Sequence, residues 1–271
     1  VKKEIEFSML RGSYQYSASN ATARKMRGLR NAISTTRLDR FTAMGNATFD
    51  VTGGAAEDLW TLAAHSLAVG DEVMFTAVGT GAEGYAVDTP YWAVTINSSS
   101  TFQLSATKGG SVLEGTGADS SGTWTIKKAN KLVKADIDRL LRQMVEGTST
   151  AAKLSNPVIY TGAYITQAIS EIYGYAPTSR TAGGVAIKEI ITEFTPRMGV
   201  VFDRWMQPGE LYILDLAVIR PVYMQILDHP LFMAEKLAQT GSAENWQLYG
   251  ECTVEYGPET DHGKIKGLTT A

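Results

Sequence analysis

The chain has 271 residues, 44% of them apolar, and 25 basic against 28 acidic side chains give a formal charge of −3. That length and apolar share allow one large or two ordinary packed domains and exclude a disordered chain. No apolar run is long enough to cross a bilayer, the charged Val1-Lys2-Lys3-Glu4 opening is not a signal peptide, and Cys252 alone excludes an internal disulfide or a multi-thiolate metal site.

The expectation is therefore a soluble, unsecreted chain, and the near-neutral charge gives no reason to expect tight nucleic-acid binding. At the N-terminus Ile5 and Met9 stand four apart among Lys3, Glu4, Glu6 and Arg11, with Gly12 behind them. This spacing predicts the end of an amphipathic helix. Val1 is not an initiator residue, so the beginning of that helix is expected upstream. The basic run Arg24-Lys25-Met26-Arg27-Gly28-Leu29-Arg30 has no aromatic partners and reads as a solvated or interface face, not a nucleic-acid site.

Residues 46–128 hold three basic residues, Lys108, Lys127 and Lys128, against nine acidic ones, which leaves 22 basic and 19 acidic residues elsewhere. The same stretch is rich in Gly, Thr and Ser. Its β-prone runs Glu72–Val78, Tyr91–Ile96 and Thr101–Leu104 are separated by turn chemistry at Val69-Gly70-Asp71, Thr89-Pro90, Asn97–Ser100 and Lys108-Gly109-Gly110. Short strands at this spacing predict a small sandwich or barrel inserted into a mixed host.

After it, Lys131–Glu146 places Val133, Ile137, Leu140, Leu141 and Met144 on one helical face and stops at Gly147. Pro157–Tyr160 reads as a buried strand, followed by a helix with the stripe Ile165, Ala168, Ile169 and Ile172. Strands are predicted over 185–194, 199–204 and 211–218, and a helix around Leu231–Gln239, broken at Gly241. The run Leu248–Tyr256 alternates and predicts one final strand, with Leu248, Gly250, Cys252, Val254 and Tyr256 inward. Cys252 is then a packing residue.

Catalytic patterns are weak. Gly79-Thr80-Gly81-Ala82-Glu83-Gly84 spells a dinucleotide-binding fingerprint, but the fingerprint must open a helix, and Tyr85–Ile96 is β-prone and contains Pro90. A hairpin loop is expected instead. His65, His229 and His262 are scattered and read as loop surface residues; neither Asp228-His229 nor Asp261-His262 reaches the three or four ligands of a stable zinc site. No G-x-S-x-G elbow is present. Asp203-Arg204 reads as a structural ion pair, and Glu189 with Glu193 as an exposed strand edge, with a catalytic carboxylate pair as the alternative that geometry must decide. Tyr14, Tyr16, Trp205, Tyr212, Tyr223 and Trp246 are expected as core or interface anchors.

An ordered series of segments carries a family resemblance. It runs through Lys3-Glu4-Ile5-Glu6 with Met9-Leu10, then Ala23–Leu29, and resumes with Val200–Trp205, Leu214-Asp215, Leu237-Ala238-Gln239-Thr240-Gly241, Glu251–Tyr256 and Gly263-Lys264-Ile265-Lys266-Gly267. Together these resemble the tailed-phage major capsid proteins of the Hong Kong 97 type capsid fold. Within the β region, His65-Ser66-Leu67 with Gly70–Phe75, then Pro90–Val94 and Phe102-Gln103-Leu104, is similar to small β modules of phage structural proteins.

The resemblance implies an α+β chain with peripheral and axial domains, a spine helix and an inserted all-β sandwich or barrel. Residues 1–45 would be the end of the spine helix and the approach to the axial domain, 46–128 the inserted β domain, and 129–271 the axial domain and the return to the peripheral domain. The family's N-terminal arm and extended loop would precede Val1, and no lysine–asparagine crosslink motif is carried over. The implied function is a structural protein of the virion that assembles in the host cytoplasm into an icosahedral head around double-stranded DNA. Its partners would be copies of itself in hexamers and pentamers, with decoration or scaffold proteins besides and DNA contacted weakly. No catalytic, cofactor or metal residues are expected. Arg24, Lys25, Arg27, Arg30, Arg204, Trp205 and Trp246 are the candidate subunit-interface residues. The rival readings are a phage tail or decoration protein, or an α/β enzyme with a β insertion.

Overall fold

A computed structural model describes residues 2–16, 25–50, 59–77, 84–114, 124–147, 154–173, 189–192, 197–223, 233–238, 245–250 and 252–271. The fingerprint-like loop at 79–83, Arg24, Glu193 and His229 lie outside the described residues.

The N-terminal helix α1 (Lys2–Arg11) ends where expected, with the Gly12 N–H donating to the Ser8 carbonyl at 2.8 Å. Gly28 returns against this end: its N–H donates to the Gly12 carbonyl at 2.8 Å, and a Cβ on Gly28 would lie 2.4 Å from the Gly12 nitrogen. Only glycine permits that approach. The short helix α2 (Leu29–Ala32) and strand β1 (Arg37–Asp39) follow.

The chain then forms a closed barrel. Its strands are β2 (Thr42–Asp50), β3 (Leu59–Thr61), β4 (Glu72–Ala77), β5 (Pro90–Ile96), β6 (Thr101–Ser105) and β7 (Trp124–Lys128), in the order β2-β3-β6-β5-β4-β7. Closure leaves no open edge. Strand β2 begins at Thr42, four residues before the change in charge, because Thr42 and Ala43 pair with Lys128 and Lys127. The interior is aromatic: Phe49, Trp60, Phe75, Tyr85 and Trp124 pack together, with ring centroids 4.6 Å apart for Trp60 and Phe75.

Helix α3 (Lys134–Gly147), strand β8 (Pro157–Thr161) and helix α4 (Ala163–Tyr173) follow as the spacing predicts. Strands β9 (Glu189–Ile190), β10 (Met198–Phe202) and β11 (Glu210–Asp215) come next, then β12 (Arg220–Tyr223), β13 (Met233–Lys236), β14 (Trp246–Tyr249) and β15 (Cys252–Glu255). A 3-10 turn at Glu259–Asp261 leads into β16 (Gly263–Lys266). A mixed six-stranded sheet has the order β1-β16-β11-β8-β10-β9. Strands β8 and β10 are parallel neighbours, and their crossover carries α4, as parallel pairing requires.

Strand β11 is buried along its whole length, and its two faces serve different cores. Leu211 and Ile213 join Ile137, Leu140, Leu141 and Met144 of α3 and Ile165 and Ile169 of α4. Tyr212 and Leu214 join Leu10, Leu29, Ile33 and Met206. Burying each face costs no backbone groups, because β11 is hydrogen-bonded to β16 on one side and β8 on the other.

Three expectations are corrected. Val133 is 44% exposed, not part of the buried stripe. It stands at the N-cap of α3, where its N–H donates to the Asp136 carboxylate at 3.1 Å and its carbonyl accepts from the Asp136 N–H, so its side chain lies ahead of the helical repeat. The predicted helix around Leu231–Gln239 is a strand at Met233–Lys236, antiparallel to Trp246–Tyr249; a long-range partner overrides the local helical pattern. The single strand predicted over Leu248–Tyr256 is two. Tyr249 faces Met233 while Cys252 faces Tyr223, so nine residues on one side oppose two on the other, and no single ladder accommodates that offset. Within β15 the predicted alternation holds, with Val254 buried between exposed Thr253 and Glu255.

Candidate assembly surfaces

The basic segment divides between the surface and the interior. Lys25 is exposed, and its backbone pairs with that of Gln15. Arg27 is exposed and turns back to the Asn31 carbonyl at 2.7 and 3.0 Å. Arg30 turns inward instead. Its Nε donates to both carboxylate oxygens of Glu210 at 3.1 and 3.2 Å, and its second guanidinium nitrogen reaches Asp88 of the barrel at 3.3 Å. Burial works against the Arg30 charge, but the hydrogen bond and charge of Glu210 outweigh it and hold the guanidinium above its ordinary pKa.

Glu210 is the hub of this cluster. The Tyr212 hydroxyl, two residues along the same strand face, donates to it at 2.5 Å, and burial together with Glu210 drives the Tyr212 pKa upward. Lys264, opposite Tyr212 on β16, donates to the Arg30 carbonyl at 2.7 Å, and burial pulls its pKa down against the attraction of Glu210. The sequence reading did not find this cluster. Its trace in the sequence is the Glu-x-Tyr spacing within a strand, which places both side chains on one face.

Arg204 and Trp205 form a surface stack with α1. The Trp205 ring meets Phe7 edge-on at 6.0 Å, and the Arg204 guanidinium lies 5.6 Å from the Trp205 ring centre. Asp203 does not pair with Arg204. Its carboxylate accepts the Trp205 N–H at 2.8 Å and closes the turn that follows β10.

His262 is buried, not a surface loop residue. The Asp215 N–H donates to its Nδ1 at 3.3 Å and its Nε2 faces the Tyr256 carbonyl, an arrangement that requires the neutral ring protonated on Nε2. Burial lowers its pKa, opposed by Tyr256, Asp261 and Asp215. Asp215 is likewise spent on backbone, accepting from the N–H groups of Ser155, Asn156 and Ala217 at 2.8, 3.0 and 2.9 Å. Among the described residues no three His, Cys, Asp or Glu gather into a possible metal site, and no helix is long and apolar enough to cross a membrane. A shallow cleft on the barrel is lined by Ser105, Thr107, Ser111, Leu113 and Glu114, and includes none of Asp203, Asp215 or His262.

Among the described residues, exposed apolar side chains gather on strands away from these clusters. Among the described residues β12 pairs only with β15, and β13 only with β14. All four residues of β12 are exposed, including Val222 and Tyr223, and Trp246 at the start of β14 is 62% exposed, with Leu237 exposed nearby in the chain. At the β9 edge of the six-stranded sheet Ile191 is exposed, and Phe202 is exposed at the end of β10. A two-stranded ribbon is marginal by itself in water, and unpaired strand edges are templates for another chain.

Compared with known families, residues 1–269 match the family model described as SU10 major capsid protein. No curated protein matches the chain.

Proposed function

The chain belongs to the SU10 major capsid protein family, and from that premise we propose that neighbouring copies cover its β ribbon, its sheet edges and the Phe7–Trp205 face. It is a structural major capsid protein, a component of the virion that self-assembles into the capsid. Its work is mechanical, not catalytic, on this reading: shell energy comes from area buried between subunits.

We read the fold as the Hong Kong 97 type. Helix α1 is the end of the spine helix, the six-stranded sheet with α3 and α4 is the axial domain, and the ribbon strands β12–β15 with α1 belong to the peripheral domain. The mixed sheet covered by two helices, and the long excursion between β11 and β16 that carries the ribbon strands, support this assignment. The barrel is read as an inserted domain, since the chain leaves the sheet at Asp39 and the barrel has its own core. Hexamers and pentamers in an icosahedral head around double-stranded DNA, assembled in the host cytoplasm, complete the proposal. Decoration or scaffold proteins are further partners, and contact with DNA is weak, as the near-neutral charge suggests.

The ribbon is the strongest support. Its strands expose Val222, Tyr223 and Trp246 without a third strand beside them among the described residues, and a subunit interface supplies the missing cover. Trp246→Asp places a charge where that cover would sit. Electron microscopy of the purified variant should show dispersed subunits or capsomers in place of shells, with an unchanged circular dichroism spectrum. Shells formed as readily as by the parent chain would remove Trp246 from the interface, and tubes or compact monomers from the parent chain itself would overturn the shell reading.

A further inference from the structure

The barrel and the six-stranded sheet do not share a hydrophobic core. The barrel cluster runs from Ala47 to Ile126, and the two clusters on the faces of the sheet contain no barrel residue. Between packed units joined by a thin interface, relative motion is the ordinary expectation unless a large apolar contact prevents it. One apolar approach on the sheet side is Met74 of β4, buried outside the barrel cluster, whose methyl would lie 3.6 Å from a Cβ built on Gly209. The covalent connections are Arg40-Phe41 on entry and Ala129-Asn130 on exit. They lie side by side, with the Asn130 amide donating to the Arg40 carbonyl. Two adjacent strands of chain constrain position but leave a hinge axis free.

Among the described residues, the polar contacts that oppose rotation about that axis gather at two points. At the first, the barrel turn at Asp88 is held from the sheet side: its carboxylate accepts from Arg30 at 3.3 Å and its carbonyl from the Gln207 amide at 3.0 Å. The Asp88 N–H is tied to the Phe75 carbonyl at 3.0 Å, and its backbone sits at a φ of 56°, a left-handed conformation that aspartate tolerates better than most residues. At the second point Glu72, buried at the start of β4, accepts the Thr270 N–H at 2.6 Å and its hydroxyl at 3.1 Å. The segment bearing Thr270 is itself anchored, because the Leu268 N–H donates to Gly209 and the Thr269 N–H to Asn130.

We propose that these contacts form a two-point latch that sets the tilt of the barrel on the sheet, making the barrel a hinged module whose orientation, not whose fold, depends on Asp88 and Glu72. One point is the turn before β5 and the other the start of β4, and they bond to different parts of the sheet side, so either one alone leaves a pivot and both together leave none. Opening the latch changes what the barrel presents to neighbouring molecules without unfolding it.

Double electron–electron resonance tests this on the full chain. Nitroxides are attached at Thr95→Cys on β5 and Gln143→Cys on α3, both exposed positions, in a Cys252→Ser background. The parent should give one narrow distance peak. Asp88→Gly with Gln207→Ala opens the first point and keeps the left-handed turn permissible, while Glu72→Leu opens the second. The combined variant should lose the narrow peak, whereas Trp60 and Trp124, buried in the barrel core, keep their emission maximum when Trp92, Trp205 and Trp246 are replaced by phenylalanine. Glu72→Gln preserves an acceptor for the Thr270 N–H and a donor for its hydroxyl, and should keep the peak. A narrow peak in the combined variant would show that the latch does not set the tilt. A red-shifted emission would show that these contacts serve the fold, and a broad peak in Glu72→Gln would show that hydrogen bonding at the second point is not what holds it; each result overturns the proposal.

Discussion

Leu140→Ala tests the placement of α3 on the sheet. Leu140 is fully buried, in one cluster with Ile137, Met144, Leu211 and Ile265. Truncation removes three carbons, worth about 2.4 kcal/mol at about 0.8 kcal/mol per buried methylene. The void adds to this, because the facing residue on β16 is Gly263, whose missing side chain cannot fill it; an ideal Cβ there would lie 2.9 Å from Leu140 Cγ. Met144, whose sulfur would lie 2.7 Å from the same Cβ, is a flexible neighbour able to lean in. The expected loss is therefore about 3–4 kcal/mol, inside the range of about 2–5 kcal/mol seen for such changes. Urea unfolding of the unassembled chain, followed by far-ultraviolet circular dichroism, should show a lower midpoint at unchanged slope. The barrel core shares no residue with this cluster, so with Trp92, Trp205 and Trp246 replaced by phenylalanine the emission of Trp60 and Trp124 should report a transition that does not move. A loss below about 1 kcal/mol, the ordinary cost of an unexceptional substitution, would refute tight packing of α3.

Three further outcomes follow from the same geometry. Gly263→Ala should cost about 1–3 kcal/mol by overpacking, since its Cβ would stand 2.7 Å from Met144 Sδ; combined with Leu140→Ala it should cost less than the two together, measured by the same unfolding curves. For His262 the folded pKa is below its ordinary 6.5, so its contribution to stability is complete above that pH and is lost as pH falls toward the folded value; His262→Asn should flatten the decline of unfolding midpoint between neutral and mildly acid pH. Replacing residues 42–128 by a short Gly-Ser join should leave the remaining chain folded, because the Arg40 carbonyl and the Asn130 amide already touch. A collapsed circular dichroism signal in that deletion would mean that the sheet depends on the barrel.

Much of the fold was legible where the information is local. The stripe Ile137, Leu140, Leu141 and Met144 repeats with the helical period, and all four are buried, while Gly12 ends α1 as its position foretells. The Pro157–Thr161 strand and the helix after it stand where alternating period and punctuation put them. The candidate interface residues were legible only as residue types. Arg27 and Arg30 are equivalent in the sequence, three apart in one basic run. Arg30 is drawn inward because Glu210, 180 positions later, lies beside it, and Arg27 turns to the Asn31 carbonyl in the helix that follows it.

The amino-acid sequence by itself determined which segments form helices or strands wherever a period of 3.6 or 2 runs uninterrupted, because those patterns depend on neighbours a few residues away. Only the tertiary structure decided the cases in which a distant partner outbids the local preference. Met233–Lys236 has a helical composition and becomes a strand because Trp246–Tyr249 offers it a ladder. His262 reads as a polar turn residue and is buried because the Asp215 N–H and the Tyr256 carbonyl, brought together by β11 and the end of the ribbon, satisfy both ring nitrogens. In each case the deciding free energy is a hydrogen bond or burial between groups that chain order does not bring near, and the fold alone sets that distance.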